Sequence, residues 1–148
     1  MKVFLDTGVL GLATHPNAAQ GRPVVEWMSA LLAAGVEFVV PEICDYELRR
    51  KYLHLNSTAA LAKLNDLVET LDFGCVDSPV WRDAASIWAQ CRRTGSSLAP
   101  PDAIDGDVLL IATARRLPNS EQVVVATTNV KHLSSFLDAR SWRDISSP

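Results

Sequence analysis

The sequence predicts an α/β domain: a central parallel sheet of four to five short strands, flanked by helices on both faces. Three observations predict it. Short β-branched runs alternate with longer stretches of helical spacing. The short runs are apolar at successive positions, as strands buried on both faces must be. The chain has 148 residues, 48% hydrophobic and 21% charged, enough for one core without disulfides or a structural metal. No repeat or second domain is evident, so residues 1–148 read as one domain.

The elements follow in order. Lys2-Val3-Phe4-Leu5-Asp6 reads as a buried strand ending on an acid, with Gly8 allowing a tight turn. Val24, Val25, Met28, Leu31 and Leu32 have helical spacing, and Pro23 suits a first helical turn. Glu37 to Val40 is a second strand closed by Pro41. Pro41 to Leu55 is a helix with the stripe Cys44, Leu48, Tyr52, Leu55. Ser57 or Thr58 caps the next helix, striped by Leu61, Leu64, Val68 and Leu71. Phe73 to Val76 is a third strand. Ser78-Pro79 reads as a cap and first turn, opening a helix through Ala84, Ile87, Trp88 and Cys91. Thr94 to Pro101 is a Gly/Ser/Pro loop, Val108 to Leu117 a strongly apolar helix and Asn119-Ser120 a turn. Gln122 to Thr127 is the most β-branched strand, and Trp142 with Ile145 suggests a short final one.

Composition excludes several classes. No apolar run approaches the ~20 residues that span a bilayer, and the first run is too short for a signal peptide. A cytoplasmic protein with no membrane partner is expected. Cys44, Cys75 and Cys91 lack any CxxC or Cys/His pattern and read as reduced core cysteines. A net charge of −3 argues against gripping nucleic acid by bulk charge. It leaves room for local contacts from Arg49-Arg50-Lys51, Arg92-Arg93, Arg115-Arg116, or Arg140 with Arg143.

Acids fall where a parallel sheet binds ligands, beyond the carboxyl ends of strands. Asp6 ends the first strand. Glu47 sits at the edge of its helix's apolar stripe, where an ordinary boundary acid paired with Lys51 is the plain alternative. Glu42 reads as a first-turn acid matched to the helix dipole. Asp102, Asp105 and Asp107 crowd the start of an apolar helix. Asp105-Gly106 looks like the capping pair, which leaves Asp107 to face the sheet end. Asn129 follows the fourth strand as a turn residue or a neutral oxygen donor facing the acids.

Taken together, Val3-Phe4-Leu5-Asp6-Thr7, Tyr46-Glu47-Leu48-Arg49-Arg50, Asp107 to Ala114 and Thr127-Thr128-Asn129-Val130-Lys131-His132-Leu133 resemble the PIN-domain family over almost the whole chain. The resemblance implies metal-dependent RNA cleavage, with Asp6, Glu47 and Asp107 as the core acids. Asn129 stands where many members carry a fourth acid and others carry Asn. The closest pattern is that of toxins from bacterial toxin–antitoxin pairs. An antitoxin partner, a homodimer and single-stranded RNA as substrate are therefore expected. Four Trp are generous for a compact core, so one or two suit an interface.

This chemistry suits those residues. Mg²⁺ or Mn²⁺ is a hard cation that prefers oxygen ligands, lowers the pKa of bound water and binds phosphate oxygens. Asp6 and Asp107 would bind it directly, and Glu47 directly or through water. Asn129 and Thr127 would hold the water network, and Arg49, Arg50 and Lys131 would meet the RNA backbone. His15, His54 and His132 form no metal set, and His132 reads as a surface residue. With 7% aromatic residues, no long stacking platform is expected. The main rival is an inactive PIN-like scaffold binding RNA or a protein, which loss of a core acid would mark. A phosphorylatable signalling domain would need a second acid beside the first strand. A haloacid-type phosphatase would need Asp where Gly8 stands.

Overall fold

The computed structural model describes residues 1–95, 104–117 and 121–147. Among the described residues, five strands form one sheet in the order β3-β2-β1-β4-β5, and every pairing is parallel. They are β1 Lys2–Leu5, β2 Glu37–Pro41, β3 Asp72–Gly74, β4 Val123–Thr127 and β5 Ala139–Ser141. The helices are α1 Thr7–Ala13, α2 Ala18–Ala33, α3 Glu42–His54, α4 Thr58–Thr70, α5 Ser78–Thr94, α6 Ile104–Arg115 and α7 Val130–Leu133.

The three central strands carry the core. Val3, Phe4 and Leu5 of β1, Phe38 to Val40 of β2 and Val124 to Ala126 of β4 are all buried. Successive residues point to opposite faces, so helices cover both. The expected α/β sandwich is thus present.

Local chemistry moved several boundaries. Asp6 lies just past the end of β1 and caps a helix, because its carboxylate accepts the Thr7 N–H. The predicted turn at Gly8 is therefore the first turn of α1. Helix α2 starts at Ala18 under an Asn17 cap, which leaves Pro23 inside the helix rather than in its first turn. Asp77, not Ser78, caps α5 by accepting the Val80 N–H at 3.0 Å. Ser57 holds the N-cap position of α4 without a side-chain bond. The third strand begins at Asp72 and ends at Gly74. The last strand precedes Trp142, which opens a short 3-10 turn instead. Cys44 and Cys91 are buried, but Cys75 is exposed. Most of the predicted 94–101 loop, Asp102 and the Asn119-Ser120 turn lie outside the described residues.

Strand order locates the crevice. The sheet grows from β1 toward β2 on one side and toward β4 on the other. Such a reversal leaves an opening at the carboxyl ends of the two strands. Leu5 pairs with Ala126, so the next residues, Asp6 and Thr127, meet at its mouth.

Candidate active site

The network begins at Asp6. Its Oδ1 accepts the Thr7 N–H at 2.7 Å, and its Oδ2 accepts the Thr127 hydroxyl at 2.6 Å. Thr127 is fully buried and in turn accepts the Asn129 N–H at 2.9 Å. The Thr7 hydroxyl donates to Glu47 Oε2 at 2.5 Å. Helix α1 lies close to the end of β4, since a Cβ on Gly8 would collide with the Thr128 side chain.

Asp107 joins from α6. Its Oδ2 lies 3.9 Å from His132 Nδ1, and that nitrogen lies 3.1 Å from Asn129 Nδ2. A Cβ on Gly106 would stand 2.6 Å from Glu47 Oε1, so Glu47 lies against the residue preceding Asp107. All four residues expected from sequence are brought into one neighbourhood. Asp6 and Glu47 are linked through Thr7, Asn129 through Thr127, and Asp107 through His132. Glu47 makes no ion pair with Lys51 among the described residues. Glu42 is used elsewhere, its Oε2 accepting the Val76 N–H at 2.5 Å.

Two residues were missed. His132, read as a surface residue near the site, is partly exposed and stands between Asn129 and Asp107. Its place three residues after Asn129, at the far end of one helical turn, was the available signal. Thr7 was read only as part of the first motif, yet its N–H and hydroxyl tie two acids together. Arg49 is held by Asp45 and Asn65. Arg50 and the exposed Lys131 remain as cations near the site.

Burial raises the Asp6 carboxyl above its ordinary range, against the Thr127 and Thr7 hydrogen bonds and nearby His132, which pull it down. Desolvation, not crowding by the neighbouring acids, is the cause. Burial also pushes the Cys44 thiol well up, and Asp6 and Glu47 add to this. Cys44 is therefore a neutral wall of the site and not a nucleophile.

The donor set fits a hard cation. Its oxygens come from carboxylates, hydroxyls and an amide. Asp6 is a desolvated carboxylate with no Lys or Arg ion pair among the described residues, the situation a bound cation relieves. Among these residues no three His, Cys, Asp or Glu side chains already stand close enough to enclose one ion.

The fold has known counterparts. The chain is similar to one in VapBC-1 from nontypeable Haemophilus influenzae, with a TM-score of 0.70 and 16% identity, covering 97% of this chain and 100% of that one. The fold is PIN-like. A chain of VapBC2 from Rickettsia felis, a structure bound to a promoter DNA fragment, matches equally well: TM-score 0.70, 16% identity, 96% and 99% covered. No family model matches the chain, and no curated protein does. Among the described residues no helix is long and apolar enough to cross a membrane.

Proposed function

We propose that this PIN-like domain is a metal-dependent endoribonuclease that cleaves single-stranded RNA, and the toxin of a cytoplasmic toxin–antitoxin pair. The observation that carries the reading is the Asp6–Thr7–Glu47 linkage at the mouth of the β1/β4 crevice. Two acids from different elements are held there by a third residue, and Asp107 reaches the same place through His132. The toxin assignment draws on the motif pattern and on the two VapBC structures of the same fold.

Mg²⁺ or Mn²⁺, when bound, supplies a polarised water and charge neutralisation at the phosphate. Asp6 and Asp107 would hold it. Glu47, fixed by the Thr7 hydroxyl, orients the attacking water and takes its proton. Thr127 keeps the Asp6 carboxylate turned toward the crevice, and Asn129 holds the surrounding waters. His132, beside Asp107 and Asn129, would give a proton to the leaving oxygen. Arg50 and Lys131 meet the RNA backbone.

An inactive scaffold is the second reading, favoured by the lack, among the described residues, of a closed three-ligand group as the side chains stand. One assay separates the two. Purified protein is incubated with single-stranded RNA in Mn²⁺, in Mg²⁺ and in EDTA. Cleavage with metal and none in EDTA is expected. Cleavage that persists in EDTA, or none with either metal, sinks the nuclease. Partners are tested separately: light scattering at micromolar protein should show a homodimer, and an antitoxin should suppress cleavage.

A further inference from the structure

Glu47 opens onto a cleft of about 600 Å³ between α3, α5 and the start of α6. Its walls hold three rings that a core would bury: Tyr46 is 56% exposed, Trp81 58% and Trp88 39%. Trp81 and Trp88 are seven residues apart on α5. They share a face and stand roughly 10 Å apart along the helix axis, far enough to serve different bases. Tyr46, Glu47 and Arg50 line the opposite wall from α3.

The rings come with guanidinium groups. Arg50 lies 5.1 Å from the centroid of Tyr46, and Arg92 lies 5.1 Å from that of Trp88. Aromatic faces interleaved with arginine are what unpaired nucleotides bind: bases stack on the rings while cations follow the backbone. An apolar partner seated here would strip water from Arg50 and Glu47 without pairing either, at a cost. A nucleotide avoids that, because its phosphate pairs with Arg50.

Resting on the nuclease reading above, we propose that this cleft is its base-stacking subsite. Trp81 and Trp88 stack the unpaired bases flanking the scissile phosphate, and Arg50 contacts the backbone between them. The subsite selects single-stranded RNA, because paired bases have no free face to offer. Low aromatic content argues against a long platform, and this one is short.

The test uses the full chain carrying Asp6→Asn, so that bound RNA survives. Intrinsic tryptophan fluorescence is titrated with a single-stranded RNA hexamer and with an abasic hexamer of the same phosphate count. Trp27 and Trp142 pack against each other at a centroid distance of 5.7 Å and give a constant background. The RNA hexamer should quench emission and the abasic one should not. Trp81→Ala or Trp88→Ala should weaken hexamer binding roughly tenfold, the scale of one lost base–aromatic stack. Trp81→Phe should retain it. Equal binding of the abasic strand, or unchanged binding in both alanine variants, overturns the subsite. So does loss of a homodimer in the alanine variants with RNA binding intact, which makes the face a self-interface. Wild-type cleavage is measured in parallel. Cleavage without base-dependent quenching sinks the subsite alone. Base-dependent quenching without cleavage sinks the nuclease and leaves an RNA-binding cleft.

Discussion

The Thr7 hydroxyl donates to the Glu47 carboxylate at 2.5 Å across 40 positions of sequence. The same residue's N–H holds Asp6. One threonine at a helix start thus sets the relative position of an acid on the sheet and an acid on α3. Thr7→Val keeps the shape and removes the donor. A hydrogen bond to a charged group contributes ~1.5–3 kcal/mol, so cleavage should fall by about one to two orders of magnitude. Thr7→Ser should restore most of it. Equal rates for the Val and Ser variants would mean that the hydroxyl does not position Glu47.

Asp6→Asn and Asp107→Asn should each lower turnover by on the order of 10²-fold or more while the fold survives. Neither side chain is packed as an apolar core group. Glu42→Gln is the matched control, because its Oε1 can accept the Val76 N–H that Glu42 now accepts. Single-turnover cleavage in Mn²⁺, with far-ultraviolet circular dichroism for the fold, decides it. If Glu42→Gln is dead and Glu47→Gln is active, the second acid has been wrongly chosen.

Much of this was legible because parallel strands announce themselves. Val3-Phe4-Leu5 and Val124-Val125-Ala126 are apolar on both faces, and placing Asp6 and Asn129 beyond their ends needed only that reading. Helix starts were harder, because the caps compete. Asp6 serves both as a strand-end acid and as the cap of α1, and one residue gives no sign of two roles. Asp77 and Ser78 are both good caps, and only the Val80 N–H shows which is used. The cleft was hidden for another reason. Trp81 and Trp88 sit beside the buried Ala84 and Ile87 on a helical pattern, and only packing shows that their face is left open.

Gly106→Ala tests how closely α6 approaches the site. The new Cβ would stand 2.6 Å from Glu47 Oε1. The atom it meets ends a flexible side chain, so the carboxylate swings away and the fold is little affected. Alanine also favours the helix by ~1 kcal/mol over glycine. The variant should therefore melt no lower than wild type and cleave at least several-fold more slowly. A matching fall in melting temperature would show that the backbone, not Glu47, had moved.

The raised Asp6 carboxyl makes a stability prediction with a definite sign. Burial is the cause, so the folded state holds this proton to higher pH than the unfolded chain does. The contribution to stability is then complete below the ordinary aspartate range near ~3.9, and is lost as pH rises through the raised folded value. Asp6→Asn removes the titration. The variant's melting temperature in EDTA, relative to wild type, should therefore rise between pH 4 and pH 7. A cation reverses the penalty by binding the ionised site, adding RT ln(1 + [M]/Kd), or ~2.7 kcal/mol at a hundredfold excess over Kd. Mn²⁺ at neutral pH should raise the wild-type melting temperature and leave Asp6→Asn nearly unmoved. Calorimetry of both proteins at the two pH values, with EDTA and with Mn²⁺, reads out both effects. A difference that shrinks with pH removes the burial argument, and an equal response to Mn²⁺ places the cation away from Asp6.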